Sequence, residues 1–244
     1  MRLLLSHGRN PYFHQAVEEH FLKASADAEG ILFLYRNSPS VLCGRNQNLL
    51  AECDPQFCQE HQISLLRRIS GGGTVYHDEG NLNVAFLVRR EEFSPEAVCT
   101  RIVSALRHLG ISAVADGHHS LFVQERKVSG MACALNCNRA LLHCCLLVNA
   151  DLTTLQKALH SPSAIETSAV PSRRAPVANL TEFRPQLTIA ELMDALLHFC
   201  PGCSAPEDAD ALPVDTSHCS SPEWILHRSL GPRLTSCGCA ITVS

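Results

Sequence analysis

Long hydrophobic runs are missing from this 244-residue chain. None approaches the ~20 residues that a membrane-spanning helix needs, which argues against a spanning helix. The opening apolar stretch, residues 3–5, is too short for the hydrophobic region of a signal peptide. Charge is also sparse: 18% of residues are charged and the formal net charge is −4. That excludes a disordered polyelectrolyte and a global basic field that would recruit nucleic acid or a membrane surface. There is no internal repeat. A single C-x-x-C pair, Cys200 and Cys203, has no second pair to complete a zinc site.

What is present fits a folded domain. Hydrophobic residues make up 45% of the chain, enough for the core of one α+β domain. The 13 cysteines are an odd number at scattered spacings. A disulfide-framed secreted domain is usually shorter and more regular. They are therefore read as small buried hydrophobes in a reducing interior. Arg2 and Arg9, with no acid before Glu18, have the bias of a mitochondrial presequence, but residues 3–5 read better as a first strand.

Asn10-Pro11 pairs an N-cap with proline at the first helical position. Phe13, Ala16, Val17, Phe21 and Ala24 follow at helical spacing. Residues 31–35 and 41–44 are strand-like, separated by a turn at 37–39. Asp54-Pro55 opens a short helix to about His61, and residues 63–69, 74–77 and 82–88 read as strands around a glycine turn. Ser94-Pro95 opens a helix carrying Val98, Ile102, Val103, Leu106 and Leu109. Residues 121–124, 127–131 and 141–150 are further strands, and Asp151 caps a helix to His160. Thr188 with Glu191 forms a capping box before a helix to His198. Residues 161–184 and 201–222 read as irregular. Strands and helices without strict βαβ alternation imply an α+β fold with a largely antiparallel sheet.

The sharpest chemical signal is RRISGGGTVYHDEGNLN, residues 67–83. Gly71, Gly72 and Gly73 let backbone N–H groups approach a ligand and form an anion-binding nest. A bare triple glycine is more often an ordinary flexible turn. Here Arg67, Arg68, Ser70, His77, Asp78, Asn81 and Asn83 crowd polar groups around it, an arrangement that burial permits only with a ligand or a network. In RKVSGMA, residues 126–132, Lys127 can hold a carboxylate or phosphate as a point charge, against the plainer reading of a surface lysine. His118-His119 reads as surface loop without metal partners, so no metal site is assigned, and Arg173-Arg174 as solvated loop charges.

Residues 67–83 resemble the signature of the lipoate–protein ligase and lipoyltransferase family. The resemblance extends in order through NPYFHQAVEEHF (10–21), NSPSVLCGRNQN (37–48), RKVSGMA (126–132), LLVNADL (146–152), ANLTE (178–182) and SPEWILH (221–227). Within the family it looks most like the animal mitochondrial lipoyltransferase branch. It implies the biotin/lipoate ligase-like α+β fold, a mixed, mostly antiparallel sheet flanked by helices. It implies a catalytic domain over residues 1–232, an unaligned tail over 233–244, and no counterpart here of the C-terminal accessory domain found in many members. The implied reaction transfers a lipoyl group from lipoyl-AMP to a lysine of apo lipoyl domains of 2-oxoacid dehydrogenase E2 subunits, or of the glycine-cleavage H protein. The lipoyl-AMP would arrive preformed or be made from lipoate, ATP and Mg2+. The resemblance further implies a mitochondrial monomer.

By the same analogy Arg68, Ser70, Gly71, Gly72 and Gly73 line the lipoyl-AMP loop, and His77 lies beside the acyl chain. Asn81 and Asn83 contact nucleotide. Lys127, the catalytic residue, bridges acyl carbonyl and AMP phosphate. Two features depart from the family. Ser120 stands where an aspartate associated with magnesium is expected, and a hydroxyl is a much weaker magnesium ligand, which counts against ATP activation more than against transfer. The family's His-His-Gly becomes His143-Cys144-Cys145. Two alternatives stay open: a cysteine-dependent octanoyl or lipoyl transferase using Cys133, Cys144 or Cys145, and a truncated, non-catalytic lipoyl-AMP-binding relative.

Overall fold

The computed structural model describes residues 1–25, 28–162 and 165–227; the unaligned tail at 233–244 lies outside them. In chain order the elements are β1 (Arg2–Leu5), α1 (Pro11–Leu22), β2 (Ile31–Tyr35), β3 (Ser40–Cys43), α2 (Leu49–Glu52), α3 (Pro55–Glu60), β4 (Ser64–Arg67) and β5 (Val75–His77). Then come β6 (Asn81–Arg89), α4 (Pro95–His108), β7 (Val114–Ala115), β8 (Leu121–Val123), β9 (Arg126–Leu135), β10 (Arg139–Leu147), α5 (Leu152–Ala158), α6 (Ile189–His198), β11 (Pro206–Asp208), α7 (Ser217–Ser220) and α8 (Pro222–Ile225).

An eight-stranded sheet runs β11-β1-β2-β6-β10-β9-β8-β7, and a three-stranded sheet runs β4-β3-β5. In the large sheet only the pairings of β1 with β11 and β2 are parallel; the pairs from β2 through β7 are antiparallel. The expected mixed, mostly antiparallel α+β architecture is what forms. Period-two alternation sorts the side chains between two faces. Leu32, Leu34, Leu82, Val84 and Phe86 pack with α4 and α6 on one face. Ile31, Phe33, Tyr35, Ala85 and Leu87 pack with Val17 and Phe21 of α1 on the other.

Helix starts follow the side-chain chemistry. Asn10 accepts from the N–H groups of Tyr12 and Phe13, Asp54 from Phe57, Ser94 from Ala97 and Asp151 from Thr153 and Thr154. Thr188 and Glu191 close a reciprocal box. Each cap contributes about 1 kcal/mol.

One part of the sequence reading needs correction. Residues 201–222 are not wholly irregular: β11 adds an edge to the large sheet beside β1, and α7 and α8 pack below α1 and the small sheet. Short elements held by distant partners leave no periodicity to read. The turn at residues 37–39 joins two sheets: the chain leaves the large sheet there and enters the small one. Of the eleven described cysteines seven are buried and all are free, as the reading of small core hydrophobes requires.

Candidate active site

A cavity of about 560 Å³ opens between the small sheet and the α1 face of the large one. Its floor comes from strand register: Tyr35, Asn83, Cys145 and Gly130 stand in one row across β2, β6, β10 and β9. Ala85, His143 and Ala132 stand in the next row on the same face. Gly72, Gly73 and Thr74 roof it, and residues 170–173 close one side. That last segment is strapped to the roof: Gln47 donates to Val170 O (3.2 Å) and Ser172 Oγ (3.0 Å), and Thr74 N donates to Ser172 Oγ (2.8 Å).

The two arginines before the glycines do different work. Arg67 is fully buried and ties the β3–α2 loop to the C-terminal segment. Its Nη1 donates to Gly44 O (2.9 Å) and Gln47 O (2.8 Å), and its Nε to Trp224 O (3.0 Å) and Ile225 O (3.1 Å). Arg68 holds the glycine loop from inside. Its Nη2 donates to Gly71 O (2.7 Å) and Gly73 O (2.6 Å), its Nη1 to Leu42 O (2.8 Å) and its Nε to Ser70 Oγ (3.0 Å). Burial pulls its guanidinium down to about 10. With the carbonyls turned inward onto Arg68, no described hydrogen bond uses the N–H groups of Gly71, Gly72 or Gly73. Those amides remain for an anion. Gly72 sits at φ +85°, the left-handed region that glycine enters without strain.

Helix α1 sends two polar relays toward the cavity from positions 14 and 18, one turn apart on a single face. In the first, His14 Nδ1 donates to Asn37 Oδ1 (2.6 Å) and Asn37 Nδ2 donates to His77 Nδ1 (2.9 Å). This puts the ring proton of His77 on Nε2. That atom lacks a partner among the described residues, and His77 lines the cavity. Burial, with help from Arg68, pulls His77 down to about 3, so it stays neutral. In the second, the fully buried Glu18 accepts from His143 Nδ1 (2.9 Å), Tyr35 Oη (2.9 Å) and Gln15 Nε2 (3.1 Å), and His143 Nε2 accepts from Ser70 Oγ (2.7 Å). This has the outline of a Ser-His-acid triad. Ser70 is fully buried, bonded to Arg68 as well, and is not among the residues lining the cavity. The relay therefore fixes the root of the glycine loop.

Lys127 stands at the opposite wall, its Nζ beside Gly130. Its backbone is clasped by residues 176–178 through an isolated parallel bridge at Val177: Lys127 N donates to Pro176 O (2.8 Å), and Ala178 N to Lys127 O (3.0 Å). Burial lowers its pKa; Asp116 opposes that. Ser120 lines the wall next to it. Asp116 faces the turn instead, accepting from His118 N (2.9 Å) and Ser120 N (2.8 Å).

The structure thus brings Arg68, Gly72, Gly73, His77, Asn83 and Lys127 to one cavity, and leaves Ser70, Gly71 and Asn81 off its lining. Asn81 lies off that lining, at the start of β6. Its Oδ1 accepts from Asp78 N (2.7 Å) and its Nδ2 donates to Cys145 Sγ (3.0 Å), so both ends of the amide are occupied. His118 and Arg173 are exposed loop residues, as read from the sequence, and they also line the cavity and hydrogen-bond to each other. Their signal was spatial, since the two residues lie 55 apart in sequence. Tyr35, Gln15 and Glu18 were missed as well. The clue available was a pair of polar residues on the apolar face of α1.

Cations therefore dominate the wall. Arg68, Lys127 and Arg173 line it, and no Asp or Glu is among its described lining residues. The thiols offer no activated nucleophile. Burial pushes Cys133 up to about 11 and Cys144 up to about 12, and raises Cys145 further.

Residues 10–200 match the family model described as the lipoyl protein ligase A/B catalytic domain. A Schizosaccharomyces pombe protein described as a lipoate-protein ligase A is 40% identical over 192 residues, covering 78% of this chain and 53% of that protein. The chain thus spans about half the length of this curated relative. The crystal structure of P. falciparum LipL1 in complex with lipoate superposes with a TM-score of 0.83 at 26% identity, over 94% of this chain and 75% of that one. T. acidophilum Ta0514 with bound lipoic acid gives 0.76 at 26% identity, over 92% and 98%. A structure of a bi-partite lipoate protein ligase and its E2 lipoyl domain from Thermoplasma acidophilum gives 0.77 at 26% identity, over 94% and 97%.

Proposed function

Because the chain belongs to the lipoyl protein ligase A/B catalytic domain family, we propose that it transfers a lipoyl group from lipoyl-AMP to a lysine of a lipoyl domain. The observation that carries this reading is a cavity lined by Arg68, Lys127 and Arg173, with no Asp or Glu among its described lining residues, together with the Gly72 and Gly73 amides that no described hydrogen bond uses. Such a site suits the phosphate of an acyl-adenylate. The acceptor class is supported by the relative solved with its E2 lipoyl domain; the glycine-cleavage H protein is the second candidate acceptor.

In the transfer, the neutral amine attacks the acyl carbon. The new C–N bond forms, the C–O bond to phosphate breaks, AMP leaves and one amine proton is released. Lys127 stabilises charge growing on the carbonyl oxygen and on the departing phosphate. Gly72 and Gly73 hold the phosphate, and the cavity aligns the anhydride for attack. His77 faces the acyl chain, and Asn83 faces the nucleotide.

Magnesium fits this wall poorly. Ser120 and the absence of lining carboxylates leave no hard anionic ligand, and Asp116 is committed to its own turn. The proposed transfer uses this chain's own cations, with preformed lipoyl-AMP as the donor. A monomeric catalytic unit over residues 1–232 and a mitochondrial setting complete the proposal, on the strength of the family resemblance. Calorimetric titration with a non-hydrolysable lipoyl-adenylate analogue tests it. Wild type should bind at least about tenfold more tightly than Lys127→Ala, the loss of one charged contact. Equal binding by the two proteins would overturn the assignment.

A further inference from the structure

Away from the cavity, Glu19, His218 and Cys219 gather at the junction of α1 and α7, with one ligand atom from each within 4.8 Å of the others. Glu19 Oε2 is the meeting point. It accepts from His218 Nδ1 at 2.8 Å and from Cys219 Sγ at 3.5 Å. The other carboxylate oxygen is held apart by Lys23, whose Nζ lies 2.6 Å from Oε1. Cys219 is 2% exposed and Glu19 9%, whereas the His218 side chain is about half exposed.

From this arrangement we propose that Glu19, His218 and Cys219 form a structural site for a zinc-class divalent ion, joining the C-terminal segment to the first helix. The donor set decides the class. One thiolate, one imidazole and one carboxylate oxygen suit a borderline-soft tetrahedral ion and do not suit magnesium or calcium. Three protein ligands leave one position, and the exposed side of His218 gives water access to it. Loading would release the Cys219 proton. Without an ion, Cys219 Sγ donates to the carboxylate. Lys23 balances the carboxylate from its far oxygen, leaving Oε2 for a monodentate bond.

The consequence is mechanical. The same C-terminal segment carries Trp224, whose ring lies 4.6 Å from that of His218 and whose Nε1 donates to Arg67 O (2.8 Å). Arg67 in turn donates to the carbonyls of Trp224 and Ile225. A metal staple at Glu19 would therefore fasten the segment against the strand that leads into the glycine loop.

The test uses the full chain, stripped with chelator and titrated with ZnCl2 and CoCl2, beside Cys219→Ala, His218→Gln and the double variant. His218 is exposed enough for the glutamine variant to fold. Wild type is expected to retain one more equivalent of zinc after desalting than the double variant, which keeps the remaining cysteines as background. The cobalt form should show a thiolate charge-transfer band that Cys219→Ala abolishes. His218→Gln should weaken zinc binding at least about tenfold. Added zinc should raise the melting temperature of wild type and leave that of the double variant unchanged. Equal zinc stoichiometry in wild type and double variant, or a cobalt spectrum unchanged by Cys219→Ala, would overturn the proposal.

Discussion

Glu18→Gln is the sharpest probe of how the glycine loop is held. Three donors, from His143, Tyr35 and Gln15, converge on a carboxylate with no solvent exposure. The amide keeps one acceptor oxygen and sets an NH2 against at least one of the three donors. One buried donor left unsatisfied costs about 1–3 kcal/mol, and moving the others from a charged to a neutral acceptor costs about 1 kcal/mol each. Removing a buried charge offsets part of this. The net expectation is a loss of about 2 kcal/mol, inside the ~5–15 kcal/mol available to a domain, so the variant should fold. Urea unfolding gives the number, with the slope unchanged. Transfer from lipoyl-AMP should also slow, because Ser70 loses the His143 orientation that roots the loop. A variant within about 0.5 kcal/mol of wild type would refute the network's role, since that is the ordinary range for a surface change.

Three further outcomes are expected. His77 is neutral when folded, at about 3 against its ordinary 6.5. The unfolded chain therefore binds the extra proton first, and stability should fall as pH drops through that window. His77→Gln should flatten this acid limb in pH-dependent unfolding, and an unchanged limb would count against the buried neutral imidazole. A Cβ at Gly130 would lie 3.2 Å from Lys127 Cε and Nζ, whereas one at Gly44 would lie 2.1 Å from Gly72 O. Gly130→Ala should thus displace a flexible lysine and lower the transfer rate with little change in melting temperature, and Gly44→Ala should lower the melting temperature itself. Asn83 Nδ2 lacks a partner among the described residues and lines the cavity. A phosphate or ribose oxygen of the bound adenylate can accept from it. Asn83→Leu should therefore weaken binding of a lipoyl-adenylate analogue by up to about tenfold, read by calorimetric titration, and unchanged affinity would count against that contact.

Much of the frame was legible in the sequence. Asn10, Asp54, Ser94, Asp151 and Thr188 announced their helices because capping is a local exchange between a side chain and the next N–H groups. The crowding of residues 67–83 announced a site. Its division of labour was not legible: Arg67 and Arg68 are neighbours, yet one holds the C-terminal segment and the other the glycine loop. Nor could the sequence show that the exposed loop residues His118 and Arg173 share a cavity, because the turn before β8 and the strap at residues 170–173 meet only in the folded chain. Glu18 and His143 lie 125 residues apart, and only the polar interruption in an apolar helix face hinted at the pair.

The central claim is that this cavity passes a preformed acyl-adenylate to a lysine. Intact-mass measurement of an apo lipoyl domain tests it most directly. One reaction would contain lipoyl-AMP and a parallel one lipoate, ATP and Mg2+, with Lys127→Ala and enzyme-free controls beside each. The account predicts the lipoyl mass increment with lipoyl-AMP, its loss in Lys127→Ala, and little or no product from lipoate and ATP. Equal modification in both reactions would contradict the reading of the carboxylate-free wall. No modification in either, by a folded chain with a competent acceptor, would contradict the transfer itself.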